Sequence, residues 1–173
     1  IDASGTTSWS YNVYGQLTEE TRVFNDSLGT FRTSWQYNAA GQLAAMWYPA
    51  DDQGNLGENI IYTYLPQMAL DQVLLGPPPT TPTYVQGTEY DDAGRVTLRT
   101  LGNNAAQTRF TYYPWETADQ GGGLQRLFSQ TPGDPAVTRQ DFSYTYDRNG
   151  NITTIQDYVN KIDEEEPYTQ SFT

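Results

Sequence analysis

A chain of 173 residues carrying 14 Tyr, 4 Trp and 6 Phe together with 15 Gly and 10 Pro has the aromatic surface for one sizeable all-β domain broken by turns. Such a chain is too aromatic to be read as a disordered acidic one. Its 21 acidic against 9 basic residues give a net charge of −12, which argues against nucleic acid and anionic membrane surfaces as partners, and no apolar run is long enough for membrane insertion. With no His and no Cys, the chain can form neither a Ser-His-Asp triad, nor a Cys-His pair, nor a His/Cys zinc site, so it is expected not to be an enzyme and to need no cofactor.

From the N-terminus onward one unit recurs. It consists of a Tyr, an Asp or Asn, two variable residues, a Gly, a polar residue and an aliphatic residue, often followed by Thr. The first copy is Tyr11-Asn12-Val13-Tyr14-Gly15-Gln16-Leu17-Thr18, and the second is Tyr37-Asn38-Ala39-Ala40-Gly41-Gln42-Leu43-Ala44. A third stretch, Tyr62-Thr63-Tyr64-Leu65-Pro66-Gln67-Met68-Ala69-Leu70, keeps the incoming strand but has Pro and no Gly in its turn, so it reads as a damaged copy near 64–71. The segment from Gln67 to Leu75 leans towards a helix but reads equally well as an irregular turn followed by a strand.

The pattern returns intact at Tyr90-Asp91-Asp92-Ala93-Gly94-Arg95-Val96-Thr97. Phe110-Thr111-Tyr112-Tyr113-Pro114-Trp115 then begins a copy that resumes only at Gly121-Gly122-Gly123-Leu124, a repeat with a longer tip over 112–124. The last copy is Tyr146-Asp147-Arg148-Asn149-Gly150-Asn151-Ile152-Thr153, and Tyr168 to Thr173 starts another strand. The leading tyrosines stand at positions 11, 37, 64, 90, 112 and 146, and the first three intervals, 26, 27 and 26 residues, are near-equal, the mark of one supersecondary unit per repeat.

The residue types explain the unit. An Asp or Asn side-chain oxygen accepts a backbone N–H two residues on and opens a turn, and Gly three positions later takes the positive φ of a type I turn closed by a glycine bulge. Residues before the turn alternate, as with Phe142, Tyr144 and Tyr146 on one face and Ser143 and Thr145 on the other; Leu43, Ala45 and Trp47 alternate after it. The structural turn set is therefore Tyr11, Asn12 and Gly15; Tyr37, Asn38 and Gly41; Tyr90, Asp91 and Gly94; and Tyr146, Asp147 and Gly150. About six hairpins and roughly twelve strands follow, each hairpin pairing with the next in a single array over 1–173.

The stretches at 90–97 and 146–153 resemble the YD repeats of the RHS family, and the resemblance covers nearly the whole chain. It implies tandem β-hairpins stacked into one continuous, curved antiparallel sheet that spirals into a hollow shell. In bacterial toxin complexes and related secreted proteins of that family the shell encloses a C-terminal toxin; in teneurins it forms an adhesive barrel at the animal cell surface. A secreted or cell-surface setting is implied, as are flanking repeats of the same polypeptide or neighbouring copies as partners, and an enclosed toxin as cargo. Asp134-Pro135 lacks the downstream pattern of the family's self-cleaving aspartate motif, so no protease role is carried onto it. The length is short for closing a shell, which favours a segment of a longer protein or a unit that assembles, filaments included.

Three other readings compete. Asp51-Asp52-Gln53-Gly54-Asn55 and Asp147-Arg148-Asn149-Gly150-Asn151 space oxygen ligands as a calcium loop would, but neither has the distal Glu of an EF-hand, and turn chemistry explains the second. The 21 acids leave a glycosidase pair conceivable without marking one. The aromatic stretches around Trp47 and Trp115 could stack on sugar rings, making an adhesive or carbohydrate-binding module with a cell-surface glycan as partner the main alternative to a structural role; packing of repeat on repeat is the plainer account.

Overall fold

A computed structural model describes residues 5–25, 29–50, 57–76, 83–133, 135–161 and 166–172. Among the described residues there is no helix, and every strand runs antiparallel to its assigned neighbours. The chain divides into two compact units, Ile1–Tyr84 and Val85–Thr173.

In the first unit, β1 (Gly5–Tyr11), β2 (Leu17–Phe24), β3 (Thr30–Tyr37), β4 (Leu43–Trp47), β5 (Asn59–Tyr64) and β6 (Leu70–Leu75) pair in chain order. The helix-leaning stretch from Gln67 resolves into a turn and β6. Its Val73-Leu74-Leu75 segment lies opposite Tyr62, Ile61 and Ile60, and this cross-strand pairing outweighs the helical lean.

In the second unit, β7 (Thr83–Tyr90), which begins at the division, is followed by β8 (Val96–Leu101), β9 (Ala106–Tyr112), β10 (Leu124–Thr131), β11 (Val137–Tyr146), β12 (Ile152–Lys161) and β13 (Pro167–Ser171), again paired in chain order. The strand expected from Tyr168 is β13.

Every repeat hairpin carries the same irregularity. The register slips by one residue beside the leading tyrosine, so that Tyr11 lies opposite Leu17, Tyr37 opposite Leu43, Tyr64 opposite Leu70, Tyr90 opposite Val96, Tyr112 opposite Leu124 and Tyr146 opposite Ile152. This is the bulge expected where a type I turn ends in a residue of positive φ.

Each unit is one layer thick among the described residues. Opposed residues share a face, so Trp35, Met46, Ile60 and Leu75 line one side of β3–β6 while Gln36, Ala45, Ile61 and Leu74 line the other. In the second unit Phe110, Leu127 and Phe142 share a face with a polar row running Thr88, Arg99, Thr108, Ser129, Gln140. The Thr108 and Ser129 hydroxyls meet at 2.9 Å, and Ser129 Oγ donates to Gln140 Oε1 at 3.1 Å. Among the described residues the buried hydrophobic ones are Ala45, Ile60 and Leu74, and no large side chain is fully enclosed. The cohesion therefore comes from ladder hydrogen bonds and half-buried side chains packed along each face rather than from a sealed core.

Candidate functional site: the repeat turn and the fifth tip

In each intact turn the Asp or Asn does what the sequence reading assigns to it. Asn12 Oδ1 accepts the backbone N–H of Tyr14 at 2.9 Å and of Gln16 at 3.0 Å. Asn38, Asp91 and Asp147 repeat the pair with Ala40 and Gln42, Ala93 and Arg95, Asn149 and Asn151. The backbone closes identically, from Asn12 N to Gln16 O and from Gly15 N to Asn12 O, and the bulge glycines Gly15, Gly41, Gly94 and Gly150 have φ of 77°, 78°, 77° and 83°.

The third turn has the same backbone bonds, Leu65 N to Ala69 O and Met68 N to Leu65 O, both at 2.8 Å. Met68 stands in the glycine place with φ 67°, a left-handed conformation that costs an L residue about 1–2 kcal/mol. The copy that looked damaged is complete as geometry; it lacks only the side-chain acceptor, which Leu65 cannot supply.

Besides the strand ladders, two side-chain contacts recur between one repeat and the next. The leading tyrosine donates its hydroxyl hydrogen bond to the carbonyl of the aliphatic residue of the preceding repeat: Tyr37 to Leu17 O at 2.9 Å, Tyr64 to Leu43 O at 2.7 Å, Tyr112 to Val96 O at 2.8 Å and Tyr146 to Leu124 O at 2.9 Å. The polar residue after the glycine reaches the next turn's bulge residue: Gln16 to Gly41 O, Gln42 to Met68 O and Arg95 to Gly122 O. Burial pushes the Tyr64, Tyr112 and Tyr146 hydroxyls above the usual phenol range. Tyr11, with 61% of its surface exposed, makes no hydroxyl bond among the described residues.

The fifth tip is built around Arg95. Its guanidinium donates to Asp91 Oδ2 at 2.8 Å and to Gly122 O at 2.9 Å, and lies 4.2 Å from the Tyr112 ring centroid and 4.7 Å from that of Trp115. The Arg95 side chain, then its backbone N–H, holds the Asp91 carboxyl below the usual carboxylate range. The Asn151 side-chain bond, followed by its backbone N–H, does the same for Asp147. Gly122 has φ 76° and sits against the indole, where a Cβ would run into Trp115. The tip ends are clamped as in any other turn, Tyr113 N to Gly123 O at 2.9 Å and Gly122 N to Tyr113 O at 3.2 Å. Because Gly123 has no side chain to reach the sixth turn, other groups make the link: Tyr113 Oη donates to Tyr144 O at 2.9 Å, and Arg148 Nε pairs with Asp119 Oδ1 at 3.1 Å.

Trp47 ends β4 opposite Ser34 and Asn59 and is half-buried, whereas Trp115 is 64% exposed. Among the described residues no three acidic side chains converge as a metal site would require. Asp147 commits both carboxylate oxygens to its own turn, and the loop at 51–55 lies outside the described residues.

No protein-family model and no curated protein matches the sequence. Solved structures do. The crystal structure of TcdB2-TccC3-Cdc42 aligns over 100% of this chain with TM-score 0.74 and 16% identity, and that of TcdB2-TccC3 without its hypervariable C-terminal region aligns over 100% with TM-score 0.75 and 17% identity. The Photorhabdus luminescens Tc holotoxin pore aligns over 97% with TM-score 0.70 and 17% identity. The fold is that of the YD-repeat, or RHS, proteins. The chain spans 9%, 9% and 8% of the lengths of those three chains. In this chain the tyrosine hydroxyls and the residues after the glycines add side-chain ties to the strand ladders between repeats.

Proposed function

We propose that this chain is a passive wall: a YD-repeat segment of a secreted or cell-surface β-shell, with an enclosed toxin as the cargo the fold comparison favours. The observation that carries this reading is the thin, repeated construction. Within each unit the sheet is one layer thick among the described residues, successive hairpins are tied by the tyrosine and side-chain links, and apolar residues stand on both faces without a sealed core. A catalytic domain concentrates its chemistry in an enclosed site, whereas here the recurring polar groups are spent on the turns and the links between them. Similarity to the toxin-complex structures supports the shell role, and the net charge of −12 suits a surface that must stay soluble.

The test is the intact mass of the native polypeptide that carries this sequence, read together with sedimentation velocity of the isolated chain. A native mass many times 19.5 kDa supports a wall segment. A native polypeptide near that mass that sediments as a concentration-independent monomer overturns the proposal.

A further inference from the structure

The fifth tip does more than close a hairpin. It runs over 113–123 where the first turn needs only 12–16, and in repeat arrays such insertions often mark the binding face. The extra chain is ordered by its own bonds, Thr117 N to Pro114 O, Gln120 N to Thr117 O and Gly123 N to Gln120 O. Its Trp115 is fixed by the Arg95 guanidinium and the Gly122 backbone, yet 64% of it meets solvent, so much of the indole stands open. Beside it lies a hollow of about 520 Å³ lined by Trp115, Asp119, Gln120, Tyr146, Arg148 and Asn149.

The chemistry of that lining is specific. The Asp119–Arg148 pair at 3.1 Å cancels its own charge, so the hollow offers no excess positive charge for a phosphate or an acidic glycan. Amide, carboxylate and guanidinium groups surround the ring, and these suit hydroxyls better than aliphatic side chains. An exposed, immobilised indole loses little conformational freedom when a flat ligand covers it. We infer that the fifth tip is a binding site for a neutral saccharide, which stacks on Trp115 and hydrogen-bonds to the Asp119, Arg148 and Asn149 side chains. This goes beyond the wall role and stands or falls separately from it.

The experiment is a glycan array probed with the intact chain, followed by calorimetric titration of the retained sugar. Neutral glycans are expected to be retained, with Trp115→Ala weakening the titrated affinity about tenfold, as loss of a stacked ring predicts, and Trp115→Phe losing less. Since Trp115→Ala also loosens the tip, Asn149→Ala provides the second variant. The turn uses the Asn149 backbone N–H and not its side chain, so this change is expected to weaken binding several-fold with the melting temperature unchanged. Retention of no neutral glycan at millimolar sugar, equal retention by both alanine variants, or retention of acidic glycans in place of neutral sugars would each overturn the inference.

Discussion

The Tyr64 hydroxyl donates to the backbone carbonyl of Leu43 at 2.7 Å, tying the third hairpin to the second, and the same bond recurs from Tyr37, Tyr112 and Tyr146. The tyrosine of the repeat is thus a link between neighbours as well as a half-buried ring beside its own turn. Replacing any one of these four with Phe keeps the ring and removes the donor, and is expected to lower stability by about 1 kcal/mol. Tyr11→Phe, which has no such bond to lose among the described residues, is expected to change stability by only a few tenths. Urea unfolding at constant m-value checks the contrast.

The tyrosines also set an alkaline limit. Burial raises the pKa of Tyr64, Tyr112 and Tyr146 in the folded chain, so their contribution is complete below the unfolded value of about 10 and is lost as pH rises through the folded values. Melting temperature is expected to fall as pH climbs past about 10, and to fall less in a Tyr64→Phe, Tyr146→Phe double variant.

At the acid end the sign reverses. Asp91 is depressed chiefly by the Arg95 side chain and Asp147 by that of Asn151, so both stabilise above the unfolded carboxylate value of about 3.9, and that stabilisation is lost as pH falls through the lower folded values. Asn12 and Asn38 hold the same backbone bonds without titrating. A Asp91→Asn, Asp147→Asn double variant is accordingly expected to flatten the acid limb of the stability profile while leaving the turns closed, measured by melting temperature from pH 2 to 7.

Met68 holds a left-handed φ of 67° with more than half of its surface in solvent, so Met68→Gly relieves strain at little loss of packing. After the entropy that Gly loses on folding, a gain of about 0.5–1 kcal/mol is expected. The reverse change at an equivalent position, Gly94→Ala, is expected to destabilise by about 1 kcal/mol or more. Paired thermal melts decide both.

Arg95 is the keystone of the fifth tip. Lysine keeps the charge but cannot reach Asp91 and Gly122 O together as a planar fork does, so Arg95→Lys is expected to cost about 1–2 kcal/mol. It should also red-shift the fluorescence of Trp115, read in a background where Trp9, Trp35 and Trp47 are Phe.

Four of the six hairpins were legible because Asn12, Asn38, Asp91 and Asp147 each stand three residues before a glycine, and that pair of residue types has one cheap backbone solution. The third was obscured because Met68 adopts a conformation that its side chain disfavours, held by Gln42 and by the strands on either side. The fifth showed its ends but not its interior, since Arg95 belongs to the previous repeat and meets Trp115 only once the turns are stacked. The links between repeats needed the register: Gln16, Gln42 and Arg95 share the place after the glycine, a regularity visible in the sequence, but the carbonyl each one reaches is not. Trp47 and Trp115 both sit in aromatic stretches near a proline, and the structure separates them by setting strands on both sides of Trp47.

The most direct test of the wall is electron cryo-microscopy of the native protein that carries this sequence. The account expects residues 5–172 to form consecutive strands of a longer sheet of YD hairpins around a cavity, with the hydroxyls of Tyr37, Tyr64, Tyr112 and Tyr146 on their carbonyl partners. A map in which this chain stands alone as a closed domain, enclosing nothing and continuing into no wall, would contradict it.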